Sequence, residues 1–298
     1  MPLEYTVTLR SGEPTEVHLE GVPANPHDCL LLQKVSGLDS APIDNQVDPW
    51  PAGDGSSFGP VSSRGRVISA EGMIVAPSRG RLRETERALR RACQASTRTW
   101  RLLIDGRVGD PRLASYVRTS EPLVSADEGD TTQGWGKQWR VAFHSPEPWL
   151  HAATAGQVTA TPPPGGAGGI VFPLVFPLVF TGPASTPSGV TAIQGGDAPA
   201  WPTITLNGEL LNPVVWNVTT GERIALRTMI YDGEAVTIDM RTRAVRSNGT
   251  GGVNRYQTVD RAISTWWRLT PGENLIRLIA DGAGPQGAAT VTWNDAYL

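Results

Sequence analysis

Cysteine is almost missing from this sequence: Cys29 and Cys93 are the only two. Two thiols build neither a disulfide framework nor a closed tetrahedral zinc site. Histidine is scarce too, and His18, His27, His144 and His151 are not grouped at metal-ligand spacing. The GxSxG, HExxH, GxGxxG, Walker-type and CxxC patterns are all lacking, so no catalytic residue, cofactor or metal is expected. No run of about 18 apolar residues occurs, which argues against membrane insertion through a helix. The opening MPLEYTVTLRSGEPTEV has no basic region followed by an apolar run, so no secretory signal is visible. A net charge of -3 gives the chain no general attraction to nucleic acid or anionic membranes.

Turn formers are plentiful. The 298 residues include 33 glycines and 25 prolines, scattered without a collagen period, and this suggests many short strands. Hydrophobic residues at 39% against 18% charged are enough to bury cores, and the length favours two domains. Residues 4–10 and 16–22 alternate as strands around a Ser11-Gly12-Glu13-Pro14 turn. Residues 28–36 form an apolar run, and 37–60 read as a long irregular loop. Strand alternation returns at 64–75. Ser78 is then a candidate N-cap for a helix over about 79–96, with Leu82, Ala88, Leu89, Ala92 and Cys93 on one side. Further strands are expected at 99–104, 112–119 and 136–144.

The composition shifts at 153–169, ATAGQVTATPPPGGAGG, which reads as a Pro/Gly-rich linker between an N-terminal domain, 1–152, and a C-terminal domain, 170–298. In the second domain, strands are expected at 201–206, 213–218, 222–230, 234–240, 241–247, 264–269, 274–280 and 288–294. Turns are signalled by Asn207-Gly208, Thr220-Gly221, Asp232-Gly233, Asn248-Gly249, Pro271-Gly272 and Asp281-Gly282. Strands at this spacing without a helical period argue for an antiparallel β-sandwich. The fold class is thus mainly β, with one α-helix in the N-terminal domain.

Residues 172–180, FPLVFPLVF, repeat with period four. In an extended chain Phe172, Leu174, Phe176, Leu178 and Phe180 share one face, while Pro173 and Pro177 remove two donors from the same edge. An edge strand tolerates that loss. Because both faces are apolar, Phe172, Phe176 and Phe180 are also candidates for an interdomain anchor.

Three features compete for a chemical role. Asp239 is the nearest approach to a catalytic carboxylate, though ending a strand or pairing with a neighbouring arginine is the better account of it. The arginines at 79, 81, 83, 87, 90 and 91 could meet phosphates, or simply form a solvated face with Glu84 and Glu86, or an intersubunit contact. Trp266 and Trp267 point to opposite faces of a strand, so at least one should be buried. They are the candidates for stacking on a sugar ring.

Several motifs occur in a telling order. Arg66-Val-Ile-Ser-Ala-Glu-Gly72 leads into the helix, and Trp139-Arg-Val-Ala-Phe143 closes on Pro146-Glu-Pro-Trp-Leu150. The FPLV strand follows, then Pro202-Thr-Ile-Thr-Leu-Asn-Gly208, Asn212-Pro213, Thr220-Gly221, Ile238-Asp239 and Leu269-Thr-Pro-Gly-Glu-Asn274. The set resembles the distal tail proteins, or minor tail proteins, of long flexible-tailed bacteriophages, and the Gly, Arg and Trp content is similar to that of phages with actinobacterial hosts. The resemblance implies a structural, non-enzymatic virion protein at the tail tip, assembled in the host cytoplasm. Its N-terminal β-sandwich or barrel-like domain would form a hexameric ring that leaves a channel for DNA as passing cargo. Its C-terminal domain would be a galectin-like or carbohydrate-module-like sandwich. Its partners would be the tail-tube protein, the tail hub and receptor-binding proteins. Two other readings stay open: a carbohydrate-binding adhesin whose C-terminal sandwich grips host cell-wall glycan, and a glycan-cleaving enzyme.

Overall fold

The structure, a computed structural model, describes residues 6–10, 16–19, 30–39, 41–51, 53–93, 99–105, 112–131, 134–163, 189–248 and 252–298. It divides into two compact units, Met1–Ala153 with Tyr297–Leu298, and Thr154–Ala296.

In the first unit, β1 (Thr6–Arg10) and β2 (Glu16–Leu19) form the expected hairpin. Then come β3 (Leu30–Ser36), β4 (Ile43–Pro49), β5 (Ser56–Ser63), β6 (Arg66–Ala76), the helix α1 (Arg79–Ala92), β7 (Trp100–Asp105), β8 (Leu113–Thr131), β9 (Gly134–Ser145) and the start of β10 (Leu150–Ala160), whose residues from Thr154 on belong to the second unit. Two antiparallel layers share β8. Leu113–Val117 pair with β7, which pairs in turn with β1, and Arg118–Thr131 pair with β9, which pairs with β6 and through it with β3. Register shifts at Thr119/Glu121 and Glu121/Val124 let the strand bend from one layer to the other. Pro122 falls inside that bulge, where a missing donor costs no ladder bond. The sequence pattern therefore ends this strand near residue 119, far short of its true end.

Along β6 burial alternates without a break, with Arg66, Ile68, Ala70, Gly72, Ile74 and Ala76 facing inward. Ile68, Ala70, Ile74 and Ala76 form one core with Val141, Phe143 and Trp139 of β9, Leu102 and Ile104 of β7, and Leu82, Leu89 and Cys93 of the helix segment. Gly72 is required by close approach: a Cβ there would lie 2.0 Å from the Leu31 carbonyl oxygen and 2.7 Å from the Trp139 ring. The helix starts where expected, with Ser78 Oγ accepting from the Arg81 N–H at 3.3 Å. It ends at Ala92 with Cys93 as C-cap, and 94–98 lie outside the described residues. Ala88 is exposed rather than inward, because it is rotated about 100° from Leu89.

The stretch 37–60 is not an irregular loop. It holds β4 and β5, paired as a hairpin from Ile43↔Ser63 to Pro49↔Ser56. Nearly every side chain in it is exposed, so neither strand shows the apolar-in, polar-out alternation that marks a half-buried strand.

The second unit is a sandwich of short antiparallel strands: β11 (Gly189–Gln194), β12 (Thr203–Asn207), β13 (Leu210–Leu211), β14 (Val214–Asn217), β15 (Glu222–Ala225), β16 (Met229–Ile230), β17 (Ala235–Asp239), β18 (Ala244–Ser247), β19 (Gly272–Ile279), β20 (Gly282–Ala283) and β21 (Ala288–Tyr297). One layer runs β18-β17-β12-β21-β10, the other β11-β19-β14-β15, with β16-β13-β20 as a small third sheet. Ile204, Leu206, Val236, Ile238, Ala289 and Val291 of the first layer are buried, as are Val215, Ile224, Ile276 and Leu278 of the second. The signalled turn glycines Gly208 and Gly272 have φ of 73° and 88°, a region that disfavours other residues.

Two expectations need correction here. The linker assigned to 153–169 is strand β10 as far as Ala160. Its small residues hide the pattern, and Gly156 is there because the Trp293 ring leaves no room for a Cβ. Residues 264–269 form no strand. They are held by isolated bonds, Thr265 N–H to Arg223 O and Leu269 N–H to Ala200 O. The FPLV repeat, with Phe172, Phe176 and Phe180, and the rest of the linker, 164–169, lie outside the described residues.

Candidate functional site

The first place to look is where the fold buries charge. Arg66 is 1% exposed. Its Nε donates to the Pro148 carbonyl at 2.7 Å and its Nη1 to the Leu38 carbonyl at 3.1 Å, while Nη2 has no partner among the described residues. Burial pushes its pKa down and the charge of Asp39 pushes it back up. The guanidinium thus ties the base of the β4–β5 hairpin, at Leu38, to the turn after β9. Beside it Ser115 Oγ bonds Ser145 Oγ at 2.8 Å, and Ser145 Oγ donates to the Glu147 carbonyl at 3.1 Å. This cluster fixes backbone and presents nothing that could act on a substrate. In the sequence Arg66 stands out only as the start of a motif. An arginine at an inward position of a strand was the available signal.

The arginine face of α1 is built differently. Glu86 turns toward the sheet and takes Lys137 Nζ at 3.0 Å and Arg90 at 2.7 Å, together with a hydrogen bond from Ser125 Oγ at 3.0 Å. Burial pushes the Glu86 carboxyl up, but the hydrogen bonds from Lys137 and Ser125 and the charges of Lys137 and Arg90 outweigh it, leaving it below the usual range. Arg79 lies over the Trp135 ring at 4.0 Å, and Arg81 pairs with Glu84 at 3.1 Å. Arg83 and Arg87 are exposed, with no carboxylate partner among the described residues. Between the helix and the start of β9 is a groove of about 390 Å³ lined by Arg79, Leu82, Arg83, Glu86, Trp135 and Lys137.

In the second unit, two fully buried asparagines join two turns. Asn274 Oδ1 accepts from Thr270 N–H at 3.0 Å, Thr270 Oγ1 at 3.1 Å and Asn217 Nδ2 at 3.3 Å. Its Nδ2 donates to the carbonyls of Thr270 at 2.7 Å and Gly272 at 3.1 Å. Asn217 Oδ1 caps the Thr219 and Thr220 N–H groups. The Leu-x-Pro-Gly-x-Asn motif is therefore a hydrogen-bonded hub.

Trp267 is 1% exposed, so it offers no face to a sugar and its stacking role is withdrawn. Trp266 is half-buried and lies parallel to Tyr256, centroids 6.2 Å apart. Arg261 approaches Tyr256 at 5.3 Å. Tyr256 also lines an open cavity of about 430 Å³ with Thr242, Arg243, Arg246 and Asn254. Arg243 there has φ of 57°, the left-handed region rare for arginine. Asp239 ends β17, its Oδ1 accepting from the Arg241 and Thr242 N–H groups at 2.9 Å and 3.0 Å, which is a turn-capping role.

Among the described residues no group of three or more His, Cys, Asp or Glu side chains could hold a metal. Cys93 is buried and its thiol is pushed up to about 12, so it is a core side chain rather than a nucleophile.

Comparison with known proteins bears on both units. Residues 195–297 match the family described as "Siphovirus-type tail component, C-terminal domain". The whole chain superposes on the SPP1 phage Dit protein (gp 19.1), described as a paradigm of the hub adsorption apparatus in phages infecting Gram-positive bacteria. The TM-score is 0.67 at 12% identity, covering 99% of each chain. A chain of the phage P2 baseplate in its activated conformation matches at TM-score 0.51 and 11% identity over 97% of each chain. No curated protein matches. The turns that the sequence motifs mark, from Asn207-Gly208 to the Asn274 hub, lie within the matched region, so residues 195–297 are similar to the C-terminal domain of siphovirus-type tail components and the chain as a whole has the fold of the SPP1 Dit protein.

Proposed function

We propose that this chain is a structural, non-catalytic part of the phage tail tip, forming a ring that joins the tail tube to the hub or baseplate and leaves a channel for DNA. The ring is hexameric, and its first unit supplies the ring contacts. The observation that carries this reading is the match in fold over 99% of both chains to a hub protein, with the second unit matching a tail-component family. The chain is built in the host cytoplasm and resides in the virion, and its partners are the tail-tube protein and the hub. The experiment is direct: antibody labelling of purified virions, combined with mass measurement of the isolated protein or its complex with the hub. Label confined to the tail tip and a six-fold mass are expected. Virions without label, or a protein that stays monomeric both alone and with the hub, would sink the reading.

A second reading, that the C-terminal sandwich also binds cell-wall glycan, draws on the cavity beside Tyr256 and the half-buried Trp266. Binding on a glycan array that survives Trp267→Phe but is lost in Trp266→Ala is the expected pattern. An array with no binding removes this reading and leaves the first untouched.

A further inference from the structure

The β4–β5 hairpin is unusual for what it leaves uncovered. Phe58 is 91% exposed, and Ile43, Val47, Trp50 and Val61 are exposed with it. The pairing shows how they are arranged. Asn45 faces Val61 and Val47 faces Phe58, with a register shift between the two pairs. That shift brings Phe58 and Val61, three residues apart, to the same face as Ile43 and Val47. Asp44 and Asp48, opposite Ser62 and Ser57, occupy the other face. The ribbon thus has one apolar face and one acidic face, both open to solvent. A two-stranded ribbon with nothing packed on it is marginal in water, and an apolar face of this kind marks a contact surface.

Charge says what kind of surface it meets. Residues 41–63 carry Asp44, Asp48 and Asp54 and no cation. Asp44 pairs with Arg64 at the base, which leaves Asp48 and Asp54 without an ion-pair partner among the described residues. The helix α1 carries six arginines against two glutamates, and Arg83 and Arg87 stand exposed one turn apart. The groove beside them joins basic side chains to an apolar floor, Trp135 and Leu82. Arm and groove are complementary in both apolar and charged character. The arm's own chain is poorly placed to use the match. The arm leaves at Arg66 and the helix follows Ala76, at opposite ends of one strand about 33 Å long.

We propose that the β4–β5 arm of one copy docks in the groove between α1 and the start of β9 of a second copy, with Phe58 against Trp135 and Asp48 and Asp54 facing Arg83 and Arg87. The proposal rests on the ring reading and deepens it by naming the contact. Arm and groove are different surfaces, so the contact is head-to-tail, the kind that closes into rings. Arg66 holds the base of the arm, and the exposed ribbon supplies the contact.

The test uses the full chain. A photoreactive phenylalanine analogue at position 58, in a mixture of isotopically heavy and light protein, should crosslink between chains to residues 79–87 or 135–137. Phe58→Ser and the pair Arg83→Glu with Arg87→Glu should each weaken self-association by about tenfold or more. Mixing Asp48→Arg protein with Arg83→Glu protein should restore part of it. Circular dichroism should show Phe58→Ser folded as wild type, because the ring it removes is exposed. A wild-type oligomer whose mass is unchanged by Phe58→Ser, or crosslinks that reach another tail protein in virions rather than a second copy, would overturn the arm contact and leave the ring standing. A wild-type chain that stays monomeric at submillimolar concentration, with and without the hub, would instead bring down the ring reading and the arm with it.

Discussion

Consider the replacement of Asn274 by alanine. The side chain is fully buried and takes part in five hydrogen bonds, accepting three and donating two. Alanine removes all five. Thr270 is exposed, and its hydroxyl can turn to water. The Asn217 amide cannot, because that residue is buried on the facing strand. At about 1 kcal/mol for each hydrogen bond lost, less what water restores, plus about 1–3 kcal/mol for stranding a buried donor, the loss comes to about 4 kcal/mol. For a unit of this size that is a fall of about 10–15 °C in Tm. Hydrogen exchange read by mass spectrometry resolves the two units separately. Peptides from β14 and β19 should lose protection in Asn274→Ala, while those from β6 and β9 keep theirs. Asn274→Asp should be about as costly at neutral pH, since it places a carboxylate oxygen against the Thr270 and Gly272 carbonyls. A loss below about 1 kcal/mol in Asn274→Ala, well under the typical cost of a broken buried network, would show that the hub reading is wrong.

Other expected outcomes follow from the same geometry. Gly72→Ala should cost the first unit about 3 kcal/mol or more, because its Cβ meets a backbone oxygen that cannot move aside. Urea unfolding with unchanged midpoint would contradict this. Trp267→Ala should cost about 3–5 kcal/mol, and the half-buried Trp266→Ala clearly less, as read by thermal unfolding. Glu86 has a folded pKa below its unfolded value of about 4.3, so its contribution is complete above that pH and is lost as pH falls through the folded value. The stability gap between wild type and Glu86→Gln should therefore be constant near neutral pH and shrink in acid, as denaturant midpoints at several pH values will show.

Much of the fold could be read where one physical signal acted alone. The turn pairs Asn207-Gly208 and Pro271-Gly272 mark strand ends because only glycine takes those backbone angles easily, and both lie where expected. Ser78 announces the helix because its hydroxyl has a nearby N–H to accept. The signal failed where a strand buries nothing or packs against something large. The β4–β5 ribbon has no buried face to impose alternation, and β10 is mostly alanine and threonine, with Gly156 lying against Trp293. Strand alternation calls for at least one of Trp266 and Trp267 to be buried, and Trp267 is, but in a segment that forms no strand. Helical spacing groups Glu86 with the solvated partners of the arginines, whereas Lys137, from a strand about 50 residues further on, draws it inward. No local pattern could reveal that, and the same holds for the Asn217–Asn274 contact.

Strand β8 belongs to two layers at once, with its first residues in one ladder and the rest in the other. The two layers of the first unit are therefore joined by an unbroken main chain, and opening one disturbs the strand on which the other is built. The amides of β7 and β9 should exchange through one common opening, with a single free energy. For the ring proposed above, this matters mechanically. Force entering through either layer is passed along one continuous main chain, so the weak point of the unit is its rim and not a seam between halves.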